Sequence, residues 1–222
     1  WGNQSSILVG DYLLSRCFEI MVEDGNLEIL KLLSSTSTEI AQGEVLQLQH
    51  KGEIDILEET YFKITSSKTA ALFSAATKVG AILGKKEAKY KEALEFYGKN
   101  IGITFQIADD ALDYSSDLKS FGKEIGNDFF EGKVTLPIIL LYQKISDSEK
   151  TILKNLFFKK KRDKEELNYV LNLIKKNNII KNCYKKADHF INLASNALSV
   201  FEDSKEKKIL KNLTTFSIER NF

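Results

Sequence analysis

Apolar residues recur along this chain three and four positions apart, the period of a helix with one buried face. Val9, Tyr12, Leu13, Cys17 and Met21 mark a first helix. Leu30, Leu33, Ile40, Val45 and Leu48 mark a second helical region, which Ser34-Ser35-Thr36 is expected to interrupt. An alanine-rich helix is predicted over about residues 69–83, with Gly84 placed to end it. A fourth is predicted over about residues 87–117, followed by a glycine-bearing loop at 121–133. Thr135 and Pro137 suit the start of the next helix, because proline is tolerated in a first turn. Ser146 with Glu149, and Asp163 with Glu166, have capping-box spacing. Leu167, Val170, Leu171 and Ile174 then share a face, and Ala187, Phe190, Ile191, Ala194, Leu198 and Phe201 continue the period. Leu210, Leu213 and Phe216 mark a last helix.

Composition strengthens this picture. One proline and 12 glycines in 222 residues are too few turn formers for a many-stranded sheet, so the fold class is all-α. Lys and Arg total 32 against 31 Asp and Glu, a net charge of +1, which argues against a nucleic-acid partner. The most apolar stretches, 70–83 (broken by Lys78) and 134–142, fall short of the ~20 residues that span a bilayer. The opening WGNQSSILVGDYLL does not read as a signal peptide, so a cytoplasmic location is expected. Cys17 and Cys183 lack disulfide-framework or metal-site spacing and read as buried small hydrophobes. Lys159-Lys160-Lys161-Arg162 reads as a solvated loop, and His50 and His189 as surface or capping residues.

Candidate chemistry concentrates between residues 102 and 137. Gln106, Asp109, Asp110 and Asp113 stand at i, i+3, i+4 and i+7, on one face of a helix, among Ile103, Phe105, Ile107, Ala108 and Leu112. Carboxylates crowded on a half-buried face repel one another and lose hydration; a hard divalent cation relieves both costs. Mg²⁺ suits that role, since it takes carboxylate oxygens and shares phosphate oxygens with a substrate. The alternative for this segment alone is a solvated acidic turn. Close by, Lys123 and Lys133 lie in a loop with Gly122, Gly126 and Gly132. Upstream, Lys68-Thr69 is read as opening the alanine-rich helix, where free N–H groups would face an anion. An acidic face with three lysine-bearing sites complements a metal diphosphate. No nucleotide-binding glycine loop, EF-hand, Gly-x-Ser-x-Gly elbow or His-Glu-x-x-His pair appears.

Phe105-Gln106-Ile-Ala-Asp109-Asp110-Ala-Leu-Asp113 resembles the second aspartate-rich motif of trans-polyprenyl diphosphate synthases. Gly122-Lys123 and Glu131-Gly132-Lys133-Val-Thr135-Leu136-Pro137 resemble the loop that follows it. Gly10-Asp11-Tyr-Leu-Leu, Gln42-Gly43-Glu44, Tyr61-Phe-Lys-Ile64 through Lys68-Thr69-Ala70, and the ending Ile218-Glu-Arg220 fall in family order, with an octaprenyl-type flavour. The resemblance implies one polyprenyl synthetase domain over residues 1–222, as an antiparallel helical bundle around a central cavity, usually homodimeric. It also implies Mg²⁺-dependent head-to-tail condensation of isopentenyl diphosphate onto an allylic diphosphate, giving a long-chain quinone side-chain precursor. The allylic diphosphate leaves, the isopentenyl double bond attacks the cation, and a proton is lost. Carried over to this sequence, Asp109, Asp110 and Asp113 hold the metal. Lys68, Thr69 and Gln106 contact the allylic substrate, and Lys123 and Lys133 neutralise the leaving group. The family's first aspartate-rich motif and its isopentenyl-binding basic residues have no counterpart here, which implies an N-terminally truncated domain with impaired activity on its own. The alternatives are a non-catalytic partner subunit and a terpene cyclase.

Overall fold

A computed structural model describes residues 2–115 and 125–216. The described residues form eleven α-helices and no strand: α1 (Asn3–Asp24), α2 (Leu27–Gln49), α3 (Glu58–Thr65), α4 (Ala71–Leu83), α5 (Ala88–Asp113), α6 (Asn127–Glu131), α7 (Leu136–Lys144), α8 (Asp147–Phe158), α9 (Lys164–Lys176), α10 (Ile179–Ala197) and α11 (Lys205–Phe216). A π-helical turn, Ser66–Ala70, joins α3 to α4, and a 3₁₀ turn, Leu198–Val200, follows α10. The long helix α5 is the axis of the molecule, packed chiefly between α4 and α10. Short links between consecutive helices return the chain on itself, the usual way to build antiparallel neighbours. The main core gathers Ile103, Ile107 and Ala111 of α5, Leu136 to Leu141 of α7, and Val170, Ile174, Ile179 and Cys183.

Several local expectations change. Helix α2 runs unbroken through Ser34-Ser35-Thr36. The hydroxyls of Thr36, Ser37 and Thr38 donate back to the carbonyls of Leu32, Leu33 and Ser34, so they join the helical ladder instead of competing with it. Helix α5 ends at Asp113, earlier than expected. The helix start expected at Lys68-Thr69 is absent, because α3, the π turn and α4 form one continuous helical run. Ala71 N–H donates to Ser66 O, five residues back, so the argument from free helix-start N–H groups fails there. Helix α4 does end at Gly84, but Lys85 supplies the left-handed residue.

Burial on α1 also departs from the apolar pattern. Met21 is buried, while Val9, Tyr12, Leu13 and Cys17 are exposed; Cys183 alone fits the buried-cysteine reading. The few contacts of α1 are chiefly with α2, so its apolar face has little to pack on among the described residues.

Both capping boxes form. Ser146→Ala removes the acceptor for Glu149 N–H and is expected to cost about 1 kcal/mol in urea unfolding, with an unchanged m-value. The basic run divides: Lys160 and Lys161 are exposed and Lys159 pairs with Glu166, but Arg162 is half-buried. Its guanidinium donates to the carbonyls of Leu156 (2.9 Å), Phe157 (2.5 Å) and Phe130 (3.3 Å). Arg162 thus ties α8 to the end of α6, and Arg162→Ala is expected to destabilise by about 2 kcal/mol because three carbonyls lose a charged donor. Chemical denaturation checks this, and Arg162→Lys should recover little, since an ammonium lacks the planar fork.

Candidate active site

Two glycine notches hold the π turn in place. A Cβ on Gly43 of α2 would lie 2.6 Å from the Lys68 amide nitrogen, and one on Gly102 of α5 would lie 2.5 Å from Ala70 Cα. Both helices therefore press backbone against backbone on the segment that carries Lys68 and Thr69. The wide turn directs both side chains into a cavity of about 240 Å³. Gln106, Asp109 and Asp110 of α5 line the same cavity, with Asp128, Lys133 and Thr135 from the following loop and Gln47 and Tyr61 opposite.

The three aspartates of the motif have different surroundings. Asp109 is exposed, and no hydrogen bond occupies its carboxylate among the described residues. Asp110 is 3% exposed, with both oxygens engaged: Gln106 Nε2 donates to Oδ1 at 2.7 Å and Tyr61 Oη donates to Oδ2 at 2.6 Å. Burial first, then the charge of Asp128, pushes its pKa up to about 8, against the pull of those two donors. Asp113 is not among the residues lining the cavity and accepts the backbone N–H groups of Asn127 (3.1 Å) and Asp128 (2.9 Å), anchoring α6 to the end of α5. Burial raises its pKa more than those bonds lower it. Asp128 joins the group, pushed up to about 6 by burial and then by Asp113.

The cations of the cavity are paired. Lys68 Nζ lies 2.6 Å from Glu44 and donates to Gln47 Oε1 at 2.6 Å. Lys133 Nζ lies 2.7 Å from Glu131 and 3.6 Å from Asp128; burial lowers its pKa, but these carboxylates more than compensate and raise it. Thr69 donates its hydroxyl to Gln106 Oε1 at 2.8 Å. Thr135 Oγ1 is buried with no hydrogen-bond partner among the described residues.

Lys68, Thr69, Gln106, Asp109, Asp110 and Lys133 thus meet at one cavity, while Asp113 is outside its lining and holds the backbone of Asn127 and Asp128. Lys123, with Gly122 and the motif Ile218-Glu-Arg220, lies outside the described residues. Sequence reasoning assigned no role to Tyr61 or Asp128, although both fall inside motifs it singled out. Asp128 was findable as the aspartate between Gly126 and Lys133; no spacing rule links Tyr61 to an aspartate 49 positions later.

A divalent cation fits this donor set. A buried carboxylate and a half-buried one, both with raised pKa values, beside an exposed third form an anionic concentration that a cation would relieve. No three acidic side chains among the described residues form a closed cage. A cation here would take one or two carboxylates and complete its shell with water and phosphate oxygens. A larger groove, about 900 Å³, is lined by Tyr114, Phe130, Leu167 and Ile174 together with Lys164, Lys175 and Lys181, with no carboxylate in its lining among the described residues.

Comparison with known proteins gives the same answer. A family model described as polyprenyl synthetase matches residues 1–174. The all-trans-nonaprenyl-diphosphate synthase (geranyl-diphosphate specific) of Rhodobacter capsulatus is 36% identical over 220 residues, 99% of this chain and 67% of the relative. The octaprenyl diphosphate synthase of Escherichia coli is 42% identical over 139 residues, 63% of this chain and 43% of the relative. The crystal structure of a polyprenyl synthase from Caulobacter crescentus, complexed with calcium and isoprenyl diphosphate, superposes with a TM-score of 0.95 at 34% identity, covering 100% of this chain and 68% of that one. That of a polyprenyl synthase from Roseobacter denitrificans gives 0.89 at 38% identity, covering 98% and 71%. The chain belongs to the polyprenyl synthetase family, and the prenyltransferase reading of its motifs stands over the cyclase and non-catalytic alternatives.

Proposed function

We propose that this chain carries the allylic-diphosphate half of a long-chain trans-polyprenyl diphosphate synthase site, adding isopentenyl diphosphate head-to-tail to an allylic diphosphate. The observation that carries the reading is the convergence of Asp109, Asp110, Asp128, Lys68 and Lys133 on one cavity. Family membership supports divalent-metal dependence, and the oxygen-rich donor set favours Mg²⁺. Asp109 is the direct ligand in this proposal, Asp110 and Asp128 supply flanking negative charge, and Asp113 fixes the loop that brings Asp128 and Lys133 to the cavity. Mg²⁺, when bound, neutralises charge on the departing diphosphate.

The chain's own residues do the rest. Lys68 and Lys133 exchange their carboxylate partners for diphosphate oxygens and hold the leaving group, electrostatic stabilisation aimed where charge develops. Thr69 and Gln106, fixed to each other, form the wall beside the reacting end, and the apolar core behind α5 limits access of water to a cation. The packing of α10 against α5 supports reading residues 1–222 as one domain. The exposed apolar residues of α1 support association into a homodimer. No described helix is long and apolar enough to cross a membrane, which is compatible with a cytoplasmic enzyme.

The test is calorimetric titration of the protein with inorganic pyrophosphate, with and without Mg²⁺, alongside a prenyl-transfer assay using labelled isopentenyl diphosphate. Mg²⁺-dependent binding that Lys133→Ala weakens is expected. Binding indifferent to both Mg²⁺ and Lys133 would overturn the assignment.

A further inference from the structure

We infer that Tyr61 is a positioning residue for the proposed reaction, setting the orientation of Gln106 and Thr69 through Asp110. The observation is a hydrogen-bonded relay across three elements. Tyr61 Oη of α3 donates to Asp110 Oδ2 at 2.6 Å, and Gln106 Nε2 of α5 donates to Asp110 Oδ1 at 2.7 Å. Thr69 Oγ1 of the π turn donates to Gln106 Oε1 at 2.8 Å.

Each link constrains the next. Asp110 Oδ1 accepts from Gln106 Nε2, so Gln106 turns its amide nitrogen toward Asp110 and its carbonyl oxygen toward Thr69. An amide oxygen only accepts, so Thr69 spends its single hydroxyl proton on Gln106 and presents lone pairs alone to the cavity. Tyr61 fixes the far end of the relay. It is 4% exposed, edge-on to Phe62, and cannot swing away. Without it, Asp110 Oδ2 has no donor among the described residues, the side chain is free to rotate about χ2, and the Gln106 amide loses its fixed orientation.

The inference rests on the proposed function for its catalytic consequence, but the relay itself is testable without substrate. Tyr61→Phe keeps the ring and removes only the hydroxyl. Outer-shell partners in metal sites typically affect activity about 10- to 100-fold. Turnover is therefore expected to fall about 10-fold or more, with KM for the allylic diphosphate changed less than about threefold, because the diphosphate-holding lysines are untouched. In Thr69→Val, where the end of the relay is already lost, adding Tyr61→Phe should lower turnover little further; independent roles would multiply.

The readout free of activity is the side-chain amide signal of Gln106 in ¹⁵N-glutamine-labelled protein. It should shift and exchange faster with solvent in Tyr61→Phe, while circular dichroism is unchanged. An unmoved amide signal, or a turnover loss in Tyr61→Phe that multiplies with that of Thr69→Val, would overturn the inference. If the wild-type protein shows no Mg²⁺-dependent pyrophosphate binding, the proposed function fails and takes the catalytic role of Tyr61 with it; the amide signal then still reports whether the relay exists.

Discussion

Asp109→Asn is expected to lower prenyl-transfer turnover by about 100-fold or more while leaving the unfolding free energy within about 1 kcal/mol of wild type. The two effects separate because Asp109 is the exposed aspartate of the motif, with no hydrogen bond occupying its carboxylate among the described residues. Nothing in the fold depends on its charge, and its removal relieves repulsion on Asp110. An amide is a weak ligand for a hard cation, so half-saturation for Mg²⁺ should move upward as turnover falls. Assays over a range of Mg²⁺ concentrations, run alongside urea unfolding, read both quantities. Near-normal turnover, or a loss of activity matched by a loss of stability, would count against Asp109 as the direct ligand. Asp110→Asn should behave differently: one of its engaged oxygens becomes a donor facing Gln106 or Tyr61, so stability and activity should fall together.

Gly102→Val is expected to destabilise the protein by about 3 kcal/mol and to abolish Mg²⁺-dependent pyrophosphate binding even where the folded state persists. The new Cβ would meet Ala70 Cα at 2.5 Å and Ala70 Cβ at 2.9 Å. Neither is the end of a flexible side chain, so α5 or the π turn must move. Either movement separates Thr69 from Gln106 and Lys68 from Asp109. Chemical denaturation measures the first effect and calorimetry at a temperature where the variant is folded measures the second. Tight pyrophosphate binding in a folded Gly102→Val protein would show that the site does not depend on this close approach.

The sequence carried the helical class, the caps and the acidic motif because each is written in local spacing. Pro137 and Thr135 mark the start of α7, Ser146 and Asp163 close their boxes, and Gln106, Asp109 and Asp110 share a helix face as their numbers require. What was illegible depended on partners distant along the chain or on competition between equal choices. Ser34-Ser35-Thr36 reads as a break because hydroxyls can bond the backbone either way; in α2 they bond it helically. Lys68-Thr69 reads as a helix start because nothing local encodes a π turn. It forms where Gly43 and Gly102 admit two other helices against it, from 25 residues before and 34 after. Periodicity groups Asp113 with its neighbours on α5 but does not show that its oxygens accept the backbone N–H groups of Asn127 and Asp128, residues folded back from beyond the end of that helix. Burial on α1 failed for a complementary reason: its apolar pattern is real, but the described residues give it little to pack on.

The π turn has a consequence for how this protein tolerates change in length. A helix advances about 100° per residue, and a π turn absorbs one residue more than an α turn. Deleting a single residue between Thr65 and Ala71 would let the run from Glu58 to Leu83 close into uniform α-geometry. Tyr61 would then be rotated by about 100° relative to Ala75, with no helix lost. Exchanges of amino-acid type here alter one contact each, whereas a one-residue deletion moves Tyr61, Lys68 and Thr69 together out of phase with Gln106 and Asp110. In a library of single-residue deletions, residues 66–70 should therefore behave unlike the rest of the helical run, yielding folded, helical and inactive protein.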